Sequence, residues 1–202
     1  MPKTTFLNLP KEKRERVVRA ALEEFSSVDY SKATIDRIVE RAGIPKGSFY
    51  QYFSDKDDLY EYAFSRIGDD KAAAIGGALD DAGAVAFPEL VFSMIARGAA
   101  YEASMAEFAG LKQKFLRQCP QDLKQRILRN ETPKSYRLLE EAMRRYAAKG
   151  DIRSDADLGM ASFAISSCLM NLELLEGFEP SNIKSAVERM VLLILEGIGS
   201  RK

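Results

Sequence analysis

The chain has 202 residues, with 30 Lys or Arg balanced by 30 Asp or Glu, no His, and 46% hydrophobic residues. That length allows one large domain or two small ones with a core that needs no disulfides, and the composition excludes low-complexity disorder. Without His, the Ser-His-Asp and Cys-His nucleophile arrangements and the helical zinc-protease pattern are closed, and Cys119 and Cys168 are too few for a disulfide scaffold or a four-ligand zinc site.

No charged-then-apolar signal segment opens the chain, since residues 1–10 hold only scattered apolar side chains. The longest apolar run, residues 190–195, stops at Glu196, far short of the roughly 20 residues a membrane crossing needs. A cytoplasmic protein without a membrane partner is expected. Formal charge is zero but segmented: net +3 over residues 1–53, −7 over 54–110, +7 over 111–149 and −3 from 150 to the end.

Residues 11–27 set Val18, Ala21, Leu22 and Phe25 at helical spacing with charges opposite, which predicts an amphipathic first helix. Thr34 is a good N-cap for a second, short helix whose apolar stripe is Ile35, Ile38, Val39 and Ala42, and Gly43 stops it. Ile44 and Pro45 make a tight connection into a third helix over residues 46–52. Ser54 with Asp57 resembles a capping box for a fourth helix starting at Asp55, with Leu59, Tyr62, Ala63 and Phe64 inward.

Gly68, Gly76, Gly77 and Gly83 predict that this helix frays or bends, with residues 76–86 as a connection. Helical patterns then follow over residues 87–103, 105–118, 121–149, 155–176 and 181–198, with breaks at Gly150-Asp151 and at residues 178–180. Pro133 either kinks a long helix or starts a second one capped by Thr132. No alternating strand pattern interrupts them, so the fold class is all-α.

The second and third helices with their glycine-containing turn describe a helix-turn-helix. The third helix, KGSFYQYF with its following residue, presents Lys46, Ser48, Tyr50, Gln51 and Tyr52, with Phe49 and Phe53 as core anchors. Such side chains suit phosphates and base edges. Lys46 neutralises phosphate charge, Gly47 lets the helix start approach a nucleic-acid backbone closely, and Ser48 and Tyr50 donate hydrogen bonds to phosphate oxygens. The Gln51 amide suits a bidentate pair with adenine N6 and N7 in the major groove, and Thr34 offers its hydroxyl or the free N–H groups of its helix start to a phosphate.

The segment TIDRIVERAGIPKGSFYQYFSDKDDL resembles the DNA-binding segment of the TetR family of bacterial transcriptional regulators, matching at Thr34, Ile38, Ala42, Gly43, Gly47, Tyr50, Phe53, Lys56 and Leu59 in one register. The resemblance covers about residues 11–60. It implies a TetR-like all-α fold, with a helix-turn-helix DNA-binding domain over residues 1–54 and a larger helical effector-binding and dimerisation domain over residues 55–202. It implies a ligand-responsive regulator, most simply a repressor that binds near-palindromic double-stranded operator DNA as a homodimer and is released by a small-molecule effector. Neither enzyme activity, a metal nor a cofactor is implied. Carried over by position, it implies phosphate or base contacts from Thr34, Lys46, Gly47, Ser48, Tyr50, Gln51, Tyr52 and Lys56. Two departures stand out: Pro45 replaces the Ser that often caps the recognition helix, and Tyr52 occupies a position often filled by His.

The two last helical segments carry excess apolar surface, with Met160, Phe163, Ala164, Ser167, Leu174 and Leu175 in one, and Ile183, Val187, Met190, Val191, Ile194 and Leu195 in the other. A four-helix interface, two helices from each subunit, is expected. Phe64, Phe92, Met94, Tyr101, Phe108, Phe115, Tyr136, Met143 and Met170 are the candidate lining of an effector pocket, with core packing as the plainer alternative. The basic segment 111–149 reads first as a solvated face and second as a receiver for an anionic, partly apolar effector. A competing class is an all-helical carrier or enzyme using Glu102, Glu107 or Glu173; a third is a DNA-bound adaptor acting through a protein partner.

Overall fold

The structure is a computed structural model, and it describes residues 1–105 and 109–196. Among these residues there are helices and turns but no strand, only an isolated bridge between Ala82 and Val85. The chain forms two compact units, one of residues 1–69 and 103–131, the other of residues 70–102 and 132–202. None of the described helices is long and apolar enough to cross a membrane.

The first unit contains α1 (Thr4–Leu7), α2 (Lys11–Ser27), α3 (Ile35–Ala42), α4 (Lys46–Tyr52), the start of α5 (Lys56–Gly76), α7 (Ala109–Gln118) and the start of α8 (Gln121–Lys149). Its core joins Val17, Ala21 and Phe25 of α2 to Ile38 and Ala42 of α3, Phe49 and Phe53 around α4, Leu59 and Tyr60 of α5, and Leu111, Phe115, Leu123 and Ile127 from α7 and α8. Aromatic rings knit this core together, with centroids 4.7 Å apart for Phe25 and Tyr60, 4.9 Å for Tyr60 and Phe64, and 4.6 Å for Phe64 and Phe115. The short α1 was not expected from residues 1–10; the fully buried ring of Phe6 holds it in place.

Caps explain the helix ends. The Thr34 hydroxyl accepts the Arg37 N–H at 3.3 Å, and Gly43, at φ 62°, closes α3 with the Ile44 N–H donating to the Val39 carbonyl. The reciprocal cap of α5 lies one residue later than the sequence suggests: Asp55 Oδ1 accepts the Asp58 N–H at 2.8 Å, while the Asp58 carboxylate accepts the Ser54 N–H at 3.1 Å. α5 continues through Gly68 and stops at Gly76, where a 3-10 turn over Gly77–Asp81 begins.

The second unit is built from α6 (Phe87–Ser104), the rest of α8, α9 (Leu158–Met170) and α10 (Ile183–Glu196). Leu90, Val91, Met94, Leu139, Ala142, Met143, Tyr146, Ile165, Val187 and Val191 form its core. The end of α8 fastens the connection before α6, with Arg145, Tyr146 and Lys149 donating to the carbonyls of Leu79, Val85 and Gly83 at 2.7, 2.7 and 2.9 Å. Pro133 lies inside a single 29-residue helix and does not start a new one. α9 is shorter than the apolar pattern predicts, because the Asn171 amide donates to the Ser167 carbonyl and its own N–H to Cys168, which turns the chain off the helix axis.

The apolar stripes of α9 and α10 divide differently from expectation. Met160 and Phe163 are exposed as read, whereas Val187 and Val191 belong to the unit's own core. The exposed apolar residues of α10 are instead Leu192 and Leu193.

Candidate nucleic-acid interface

The α4 helix has only seven residues, too few to persist alone, so its neighbours must hold it. Phe49 and Phe53 are fully buried, and Phe49 sits 5.8 Å from Phe53. On the opposite side Lys46, Gly47, Tyr50 and Gln51 are exposed and Ser48 is half-buried. Tyr50 keeps 48% of its surface in solvent although its ring touches Phe49 edge-on. Pro45, at φ −62° and ψ 144°, precedes the helix without a side-chain cap, and its carbonyl accepts the Ser48 N–H at 2.9 Å.

Two expected contact residues lie elsewhere. Tyr52 is only 5% exposed, because spacing of three and four residues puts positions 49, 52 and 53 on one inner face and Phe6 covers the Tyr52 ring at 5.7 Å. Its assignment as an outward contact is therefore corrected. Lys56 is engaged inside the chain: its ammonium donates to the carbonyls of Tyr30 at 2.7 Å and Ala33 at 2.9 Å and lies 4.3 Å from the Tyr30 ring centre. Burial lowers its affinity for the proton, and its visible role is to fasten the loop before α3 to the start of α5.

Lys46 is also paired within the chain. Its ammonium is 2.6 Å from Asp36 Oδ1, both groups being exposed, and the hydrogen bond to Asp36 raises the lysine pKa, so Lys46 stays cationic. A phosphate must compete with Asp36 for this charge. Asp36→Asn is expected to tighten binding to duplex DNA several-fold at low salt and to steepen its salt dependence by up to about one counterion. Titrations at several salt concentrations read this directly, and an unchanged slope would count against Lys46 as a phosphate contact.

Gly47 has no atom within 4 Å of where a Cβ would stand. Packing therefore does not require glycine there. Gly47→Ala is expected to raise stability by up to about 1 kcal/mol through helix propensity, while weakening duplex binding if a nucleic-acid backbone approaches the helix start. Chemical denaturation and DNA titration of the same sample separate the two effects.

Sequence reasoning missed Glu24. Its carboxylate is fully buried, accepts the Thr34 N–H at 3.3 Å, and lies 3.6 Å from Arg37 and 3.6 Å from Arg41. It thus ties α2 to both ends of α3, through Thr34 and Arg37 at its start and Arg41 in its last turn. The signal was present, since Glu24 shares the i, i+3, i+7 stripe of Val17 and Ala20. Another buried network joins Tyr30, which donates to Asp57, and Tyr60, which sits beside Cys119. Burial pushes the Cys119 thiol up to about 11 and so keeps it protonated and unreactive at neutral pH.

The nine candidate pocket residues fall into different surroundings. Phe64 and Phe115 pack within the first unit's core, and Met94 and Met143 are buried in the second. Phe92 lies 5.7 Å under the Lys184 ammonium, Tyr136 meets Phe163 edge-on at 6.0 Å, and Tyr101 is half-buried. Met170 is 64% exposed and is corrected from pocket lining to surface. Phe108, like Glu107 of the competing enzyme scheme, lies outside the described residues. Among the described residues no group of three or more acidic or Cys side chains is arranged to hold a metal.

The profile of "Bacterial regulatory proteins, tetR family" matches residues 17–63, the stretch that contains α3, α4 and their supports. This segment is thus similar to the DNA-binding part of that family. Over 62 residues it is 37% identical to the transcriptional regulator AcuR of Cereibacter sphaeroides, covering 27% of this chain and 28% of that protein. Over 67 residues it is 39% identical to the regulator BetI 1 of Chromohalobacter salexigens, covering 33% and 32%. The match thus spans about a third of these relatives or less. Whole-chain likeness comes from solved structures: a transcriptional regulator of Pseudomonas aeruginosa PAO1 has a TM-score of 0.68 at 18% identity over 96% of this chain and 94% of that one. FadR of Bacillus subtilis, solved with stearoyl-CoA, has a TM-score of 0.60 at 21% identity over 92% and 99%. These show that the chain shares an all-helical fold with the solved regulators.

Proposed function

We propose that this chain is a homodimeric tetR-family transcriptional repressor that reads a near-palindromic operator with α4 and is released by a small-molecule effector. Residues 1–54 serve DNA binding, and residues 55–202 serve dimerisation and effector binding. One observation carries this: α4 is anchored by Phe49 and Phe53 on one side and leaves Lys46, Ser48, Tyr50 and Gln51 on the other. Thr34, at the start of α3, adds an exposed hydroxyl and helix-terminal N–H groups for a phosphate. Exposed Met160 and Phe163 on α9 with Leu192 and Leu193 on α10 support the dimer. The stearoyl-CoA in B. subtilis FadR supports an anionic effector with an apolar portion.

Selection of bound duplexes from a random pool tests binding, symmetry and spacing together. Two inverted half-sites about 34–36 Å apart are expected, and Gln51→Ala should relax preference at one base pair of each half-site while Lys46→Ala weakens binding to most sequences. Failure to enrich any sequence at low salt would defeat the proposal and favour an all-helical carrier.

A further inference from the structure

The end of α4 is held by residues far from it in sequence. A helix leaves its last carbonyls without partners in the helix, and in α4 the Phe49 carbonyl is taken by the Phe53 N–H at 2.8 Å. The other three are taken by a single segment. The Lys3 ammonium donates to the Tyr50 carbonyl at 2.8 Å, the Thr5 hydroxyl donates to the Gln51 carbonyl, and the Lys3 N–H donates to the Tyr52 carbonyl at 2.8 Å. The lysine charge also sits at the negative end of the helix dipole. Phe6 locks the segment from beneath, 4.7 Å from Phe53 and 5.3 Å from Tyr62. The Arg14 guanidinium secures its exit through the carbonyls of Leu7 at 2.5 Å and Leu9 at 2.9 Å.

We infer that residues 3–9 form a strap that positions the recognition helix, with Lys3 and Thr5 as positioning residues that set where the Tyr50 and Gln51 side chains stand. The inference rests on α4 being the DNA-reading helix. Lys3 and Thr5 are exposed, so their donors are not needed to complete the core. Their bonds fall on the carbonyls of the two residues assigned to phosphate and base contact. A seven-residue helix without these bonds frays from its C-terminal end, and Gln51 lies in that last turn. Base discrimination depends on a fixed side-chain geometry, whereas attraction to phosphate tolerates motion.

The test uses the best duplex recovered by the unmodified chain from a random pool, together with a duplex changed at the base pair where Gln51→Ala loses preference. The double variant Lys3→Met with Thr5→Val removes both side-chain donors at similar volume and should keep the unmodified thermal midpoint within a few degrees. Its preference between the two duplexes should fall about tenfold, as expected for loss of two hydrogen bonds, while Lys3→Arg retains the preference. Discrimination equal to the unmodified chain overturns the strap. So does uniform weakening on both duplexes with preference intact, which reports only a smaller folded fraction. An unmodified chain that selects no sequence defeats the DNA-reading proposal and the strap with it, and is recognised before any variant is made.

Discussion

Phe49→Ala is expected to lower the unfolding free energy by about 3–5 kcal/mol, while Tyr50→Ala, one residue away, changes it by no more than about 0.5 kcal/mol. Phe49 is fully buried and touches Phe53, so truncation opens a cavity under α4 that a short helix cannot collapse to fill. Tyr50 projects into solvent, and its loss leaves no buried void. On duplex DNA the effects should invert once samples are compared at equal folded fraction. Tyr50→Ala then weakens binding about tenfold, the worth of one hydrogen bond to a charged oxygen. Urea unfolding together with DNA titration measures both, and equal destabilisation by the two substitutions would mean that α4 presents a different face from the one described.

A charge placed on the exposed apolar surface of α9 and α10 should have the largest effect on function. Met160 is 63% exposed and Leu193 is 56% exposed. Neither is needed for the core of its unit, so the double variant Met160→Glu with Leu193→Glu should fold. If this surface joins two copies, burying two unpaired carboxylates is prohibitive, and the mass in solution should fall to that of one chain. Operator affinity should fall with it by about 10²–10⁴-fold, because a second recognition helix no longer binds as part of one molecule. Equilibrium sedimentation and DNA titration read the two outcomes, and a stable pair that survives both substitutions would place the subunit contact on another surface.

Much of this architecture was legible along the chain. Helix periodicity placed α2, α3, α6 and α8 within a residue or two, since a 3.6-residue repeat needs no knowledge of what packs against it. The Thr34 cap and the Gly43 stop were equally readable, because each acts on backbone groups within a few positions of itself. So was the outward face of α4 at Lys46, Gly47, Tyr50 and Gln51, which follows once Phe49 and Phe53 are recognised as anchors. Glu24 showed its burial through its place in the α2 stripe, although nothing local named Arg37, Arg41 and the Thr34 N–H as its partners.

Other features depended on residues distant in the chain. Tyr52 carries the same side chain as Tyr50 two positions earlier; helical spacing turns it to the inner face with Phe49, and Phe6, from 46 residues upstream, supplies the ring that covers it there. The lysines at 46 and 56 look alike as charges near a helix start, yet one meets the Asp36 carboxylate at the surface and the other meets the carbonyls of Tyr30 and Ala33. On α10 the stripe read from the sequence runs over Ile183, Val187, Met190, Val191, Ile194 and Leu195, and the folded unit fully buries only Val187 and Val191 of these while leaving Leu192 and Leu193 exposed. Local periodicity and capping are short-range and written in neighbouring residues, so helices and their ends follow from the chain itself. Burial of a particular side chain depends on which distant surface reaches it, and that is a property of the folded chain alone.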